Sequence, residues 1–330
     1  MSRTFLLTGG MERKKNANYG DGKGFEAAKL LRLDMGSKIL TELIVIDEAG
    51  ENYPDDSPSL LFTAATLDGD SLWLSTETEI FEYSYPELKR LRTASYPCFQ
   101  NVHHVAPIGD KIAVVSTGLD LVAILSRETL ELEKIVNVEY KEPWHRFDGL
   151  VDYRKVHSTK PHDSHPNFLI PLNNQLWVTR LVQKDVVNLD DPTQRIEIGR
   201  AGVHDGHLVG GFLYFTCVYG EIVIVDAKTF KVIERIDLKE IEGVNRPLGW
   251  CRGLALEDNI AYVAFGHLRP TKVKENISWA RDILRGRSNI TKTRVVAYDL
   301  NKKCKIDEFI LPPGSINAIY SVICEPKSLG

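Results

Sequence analysis

Apolar and polar positions alternate along this chain in short, repeating runs. Between Asn101 and Val138 four apolar stretches follow one another: Val102–Pro107, Lys111–Ser116, Leu121–Leu125 and Leu130–Val138. Each is rich in Val, Ile and Leu, and Gly, Asp and Ser punctuate the joins, so each predicts a β-strand bounded by tight turns. The same grammar returns from Asp205 to Leu238, around Leu60–Thr93, around Asn167–Ile198, and again from Arg252. Every unit has a polar turn, an apolar strand ending in small residues, a strand ending near Asp, and a charged alternating strand. That last strand, as in Glu131-Leu-Glu-Lys-Ile-Val136, predicts a solvated outer edge with one buried face.

Five such units leave two incomplete ends that complement each other. The N-terminal part supplies Phe5–Thr8, Ala28–Leu33 and Ile39–Ile46, and the C-terminal part supplies Asn317–Cys324. Joined, they make a further blade and remove the last open sheet edges. The expectation is an all-β chain: a single six-bladed β-propeller over residues 1–330, its C-terminal strand paired with the N-terminal blade. A repeat of about 40 residues fits propeller blades.

Two segments interrupt the pattern. Residues 140–162 carry Trp144, His145, Phe147, Tyr153 and His157 in a rim loop too long for an ordinary blade connection. An insertion at 271–293 breaks the last blade; Ile277, Trp279, Ala280, Ile283 and Leu284 have helical spacing and predict a short amphipathic helix on one rim.

Composition narrows the function classes. The net charge of -4 gives no global reason to expect nucleic acid or an anionic membrane, although Arg269–Arg294 holds eight Lys/Arg against two acids. No stretch approaches the roughly 18 apolar residues of a membrane span, and the N-terminal apolar run is short for a signal peptide. The five cysteines are widely spaced and form no CxxC pair, which predicts free thiols and a cytoplasmic setting. Gly20-Asp-Gly-Lys-Gly24 lacks phosphate-loop spacing and reads as a hairpin; serine-hydrolase, zincin and nucleotide fingerprints are absent.

In its blade grammar the chain resembles six-bladed propellers of the senescence-marker lactonase, NHL and YncE-like kinds. That resemblance implies architecture and carries no catalytic residue across.

Candidate chemistry comes from the nine histidines. Several fall where an innermost strand begins: His103-His104, His165-Pro-Asn167 and His204-Asp205-Gly-His207, with Trp250-Cys-Arg252-Gly and Ile316-Asn317-Ala in the following blades. In a propeller these starts converge on one mouth of the central channel. His104, His165 and His204 are therefore the candidate catalytic residues, with either His103 or His104 facing the channel. His103, Asn167, Asp205, His207, Trp250, Arg252, His267, Arg269 and Asn317 are candidates for holding a substrate. Three readings of this ring stand open. His104, His165 and His204 could ligate one divalent metal ion, one ligand per blade. Without metal, imidazoles with pKa near 6.5 could carry protons while Arg252 and Asn167 hold an anion. His165-Pro-Asn167 resembles the His-x-Asn element of arylsulfotransferase propellers, which hints at the second. The third is a polar lining satisfied by itself and by water. Asp120 reads as a turn cap. The expected function is an enzyme acting on a small anionic metabolite at this mouth, with neither membrane nor nucleic acid as partner. Its alternative is a non-catalytic protein-binding platform using Trp144, Phe147 and Trp279.

Overall fold

In the computed structural model, residues 3–13, 23–268 and 291–326 are described. The chain enters through β1 (Thr4–Glu12), β2 (Phe25–Asp34) and β3 (Ile39–Ile46). Two complete blades follow: β4 to β7 (Ala64–Asp68, Ser71–Ser75, Ile80–Ser84, Arg90–Ala94) and β8 to β11 (Val102–Ile108, Lys111–Ser116, Leu121–Ser126, Leu132–Asn137). The next two are β12 to β15 (Pro166–Leu172, Gln175–Arg180, Asp185–Asn188, Arg195–Glu197) and β16 to β19 (Val203–Val209, Phe212–Cys217, Glu221–Asp226, Val232–Asp237). Last come β20 to β23 (Trp250–Glu257, Ile260–Gly266, Arg294–Asp299, Cys304–Ile310) and the lone β24 (Ala318–Cys324).

These strands make six antiparallel four-stranded sheets. The sixth runs β24-β1-β2-β3, with Phe5 opposite Cys324 and Leu7 opposite Val322, so the ring closes through both terminal segments as expected. The innermost strands β4, β8, β12, β16, β20 and β24 touch in that cyclic order, β24 returning to β4. A closed ring removes the unpaired edges that an open sheet would expose.

Apolar side chains fill the wedges between blades. Trp73 in β5 and Trp177 in β13, each centred in its second strand, are among the largest fully buried residues. Outermost strands such as β3 and β11 alternate exposed and half-buried positions, which fits their charged sequences. Segment 140–162 holds no strand, only a short 3-10 turn at Tyr153–Lys155. Residues 269–290, which hold Arg269 and the expected helix, and residues 14–22 lie outside the described residues. All five cysteines are free thiols. Among the described residues no helix is long and apolar enough to cross a membrane.

Candidate active site at the channel mouth

The site begins with an irregularity repeated around the ring. Each innermost strand except β4 loses register with its neighbour near its start. The shifts fall between Val102 and His104, Pro166 and Leu169, Val203 and Gly206, Cys251 and Leu254, and Ile319 and Ser321. Such β-bulges insert an extra residue and re-aim side chains. The residues set out of the ladder are His103, Asn167 with Phe168, His204 with Asp205, Arg252 with Gly253, and Tyr320. β4 pairs with β5 without a shift and offers Ala64 and Ala65 there. Five blades thus set side chains out of the ladder at this level and the sixth sets out none.

A bulge leaves an amide without its ladder partner, and buried amides need one. Small hydroxyl residues in the second strands supply it. Thr179 accepts the Phe168 N–H (3.0 Å) and donates to the His204 carbonyl of the next blade (2.8 Å). Thr216 accepts the Asp205 N–H (3.2 Å) and donates to the Arg252 carbonyl (2.6 Å). Thr8 accepts the Ser321 N–H (3.1 Å). Gly253 sits in a tight place, since a Cβ there would lie 3.0 Å from both the Val322 nitrogen and its Cγ2.

The displaced side chains converge. The His103 ring centroid lies 5.3 Å from that of His165, 6.0 Å from His204 and 5.7 Å from Tyr320. The Arg252 guanidinium lies 4.2 Å from the Tyr320 ring centre and 5.2 Å from that of Trp250. Cation–π contact therefore fixes the cation beside the histidines. His103 settles its tautomer through Asn167. The Asn167 Nδ2 donates to the Val203 carbonyl, so its Oδ1 accepts from His103 Nδ1–H at 2.9 Å and leaves Nε2 unprotonated.

His204 and Asp205 form a buried pair, Nδ1 to Oδ1 at 2.6 Å. Among the described residues His204 Nε2 is buried with no hydrogen-bond partner, and so is Arg252 Nε. Burial drives both members of the pair toward their neutral forms. The His204 pKa is held well below the usual imidazole range by burial and then by Arg252. Burial likewise pushes the Asp205 carboxyl up to about 7. One proton lies between the two side chains in either state, and Nε2 is left as the buried atom without a partner. His103 and His165 are also held well below the usual range by burial.

His165 is positioned by Asp120. The buried Asp120 carboxylate accepts the backbone N–H groups of Asp163, Ser164 and His165 at 2.8–3.0 Å and pairs with Arg146 at 2.9 Å. These bonds hold His165 in the left-handed region, φ 54°. Its Nδ1 lies 2.7 Å from Nδ1 of His162, one nitrogen donating and the other accepting. Asp120 is thus more than a local turn cap: it clamps the far end of the long rim loop to its neighbour blade.

The remaining candidates divide. His104 has both ring nitrogens engaged between blades: Nδ1 accepts from the Leu169 N–H (3.1 Å), and Nε2 meets the Thr66 hydroxyl (3.4 Å). Its ring stacks on Phe168 at 3.8 Å, and Phe168 in turn contacts His207 at 5.1 Å. The structure thus brings His103, rather than His104, to the ring of histidines. Asn317 stitches the closing blade, its Oδ1 accepting the Glu12 N–H (2.9 Å) and its carbonyl the His267 N–H (2.7 Å). His267 pairs with Glu12 at 3.3 Å. Tyr320, three residues beyond Asn317, is the closing blade's contribution to the mouth. Among the described residues no three His, Cys, Asp or Glu side chains are grouped closely enough to share a metal ion. Trp144 and Phe147 are half-buried and pack beside Tyr153. Trp279 lies outside the described residues.

No protein-family model and no curated protein sequence matches the chain. Solved structures do. A protein of unknown function from Bacteroides caccae is similar at TM-score 0.61 and 10% identity, covering 98% of both chains. A Bacteroides fragilis NCTC 9343 protein named "putative 6-phosphogluconolactonase" is similar at TM-score 0.55 and 10% identity over 98% of each chain. A chain of a nidogen/laminin complex is similar at TM-score 0.56 and 12% identity over 97% of each. At these identities the likeness lies in the fold. The chain is a six-bladed β-propeller, closed through its two terminal segments.

Proposed function

We propose that this propeller is an enzyme that moves a proton on a small anionic metabolite bound at the channel mouth. One observation carries the reading: the buried His204–Asp205 pair opens an unpartnered Nε2 beside Arg252, a cation without a carboxylate partner among the described residues. A buried polar atom left unsatisfied costs about 1–3 kcal/mol, and two of them at one mouth offer partners to a ligand. In this reading Arg252 holds the anion. His204 Nε2 takes a proton from the substrate, and the Asp205 carboxylate stabilises the imidazolium that forms. His103 and Asn167 supply a second imidazole of fixed tautomer, and Tyr320 supports Arg252 from below. His165 and His162 extend the polar chain toward the rim loop.

The test is to incubate the purified protein with pools of small anionic metabolites and follow turnover by NMR. His204→Ala and Asp205→Asn are the paired variants. Turnover that survives both at the wild-type rate would sink the proposal. Elemental analysis before and after His165→Ala checks the metal-assisted version, which requires a stoichiometric ion that the variant loses.

A further inference from the structure

The two orphaned atoms constrain the ligand more tightly than its charge does. Arg252 Nε–H is a buried donor without an acceptor, and a guanidinium approached along its Nε edge presents two parallel N–H groups. That edge matches the two oxygens of a carboxylate. His204 Nε2, on the neighbouring blade, is a buried atom awaiting a partner of its own. With Asp205 ionised, His204 Nδ1–H donates to the carboxylate and Nε2 becomes an acceptor, so the partner must bring a donor. Tyr320 links the two positions: its ring centre lies 4.2 Å from the Arg252 guanidinium carbon and 6.3 Å from the His204 ring centre. A single small molecule spans that gap.

Charge count argues against a dianion. Of the side chains gathered at the mouth, Arg252 is the cation, Asp205 is the anion when ionised, and burial keeps the imidazoles neutral, so no positive charge is left over for a second charge on the ligand. A phosphate monoester would bring a second negative charge with no partner into a site shielded from water.

We infer that the mouth takes a small 2-hydroxycarboxylate, its carboxylate side-on to Arg252 Nε–H and Nη–H and its hydroxyl donating to His204 Nε2. This deepens the acid–base reading and rests on it for the role of His204.

The experiment is isothermal titration of the full chain at about pH 8, above the Asp205 transition, with glycolate, lactate, acetate, pyruvate and inorganic phosphate. Glycolate and lactate are expected to bind one per chain. Acetate lacks the hydroxyl and pyruvate carries no donor, and each should bind about tenfold more weakly, the worth of one hydrogen bond to a buried acceptor. Arg252→Gln should abolish binding, and Arg252→Lys, which keeps the charge without the fork, should weaken it about tenfold or more. Urea midpoints of both variants confirm that they fold. Phosphate binding tighter than glycolate, or glycolate affinity unchanged in Arg252→Gln, overturns the assignment, as does no saturation up to about 100 mM. Phosphate binding that is lost in His204→Ala would overturn the carboxylate class and leave the acid–base reading standing. Glycolate binding unaffected by His204→Ala would overturn both.

Discussion

Thr216 offers the sharpest test of how the mouth is built. Its hydroxyl accepts the Asp205 N–H and donates to the Arg252 carbonyl, so one oxygen serves two blades and both residues of the proposed site. Thr216→Val keeps the shape and the β-branched preference of the strand but deletes both bonds. The Asp205 amide, fully set into the bulge, then has no partner, which costs about 1–3 kcal/mol, and the Arg252 carbonyl adds a smaller share. The expected loss is about 2–4 kcal/mol. Thr216→Ser keeps the hydroxyl and removes one methyl group, a loss of about 1 kcal/mol. Urea unfolding followed by tryptophan fluorescence reads the difference as a shift in midpoint. The order wild type, serine, valine is the outcome expected from a polar role. A valine variant as stable as wild type, or more stable than serine, would refute the account of the bulges. Thr179→Val, which removes the same kind of bridge one blade earlier, should behave alike.

Other outcomes follow from the same geometry. Asp120→Ala strands three backbone N–H groups and takes from Arg146 one of its two carboxylate partners, Asp163 remaining; a loss of about 3–5 kcal/mol is expected, with the His165 imidazole resonances displaced in NMR spectra. Gly253→Ala drives a methyl against the Val322 backbone and should cost about 1–3 kcal/mol by urea midpoint; a neutral result would mean that β20 is free to shift. Acidification should destabilise the fold. His103, His165 and His204 have depressed pKa values, so their share of stability is intact above about pH 6.5 and lost below it. Asp205, raised to about 7, acts with opposite sign between about pH 7 and 4, and Asp120, also raised by burial, acts the same way, but they are two groups against six, since His104, His162 and His207 are lowered as well. Urea midpoints that rise from pH 7.5 to about pH 5.5 would contradict this balance.

Much of the fold was legible because its units are local. Period-two alternation and turn residues gave the strands of blades such as β8 to β11 nearly to the residue, and the complementarity of the two ends gave the closure. The convergence of histidines followed from repeat position alone. What alternation could not give was the bulge. One extra residue per strand decides which of His103 and His104 leaves the ladder, and in β24 it sets Tyr320 out of the ladder. A signal for it did lie in the chain: Thr8, Thr179 and Thr216 sit at matching places in their second strands, where a bulge amide needs an acceptor. The partnership of Asp120 with residues 163–165 joins segments far apart in sequence, and no local pattern announces it.

The closing blade has a consequence for the order of assembly. β24 follows every other described strand, and it both seals the ring against β1 and carries Tyr320 under Arg252. During synthesis, five complete blades and all nine histidines precede that strand out of the ribosome. The proposed anion-holding half of the mouth therefore matures only when the circle is complete. A nascent or truncated chain, however well its early blades fold, lacks a competent mouth, so ligand binding would serve as a reporter of ring closure.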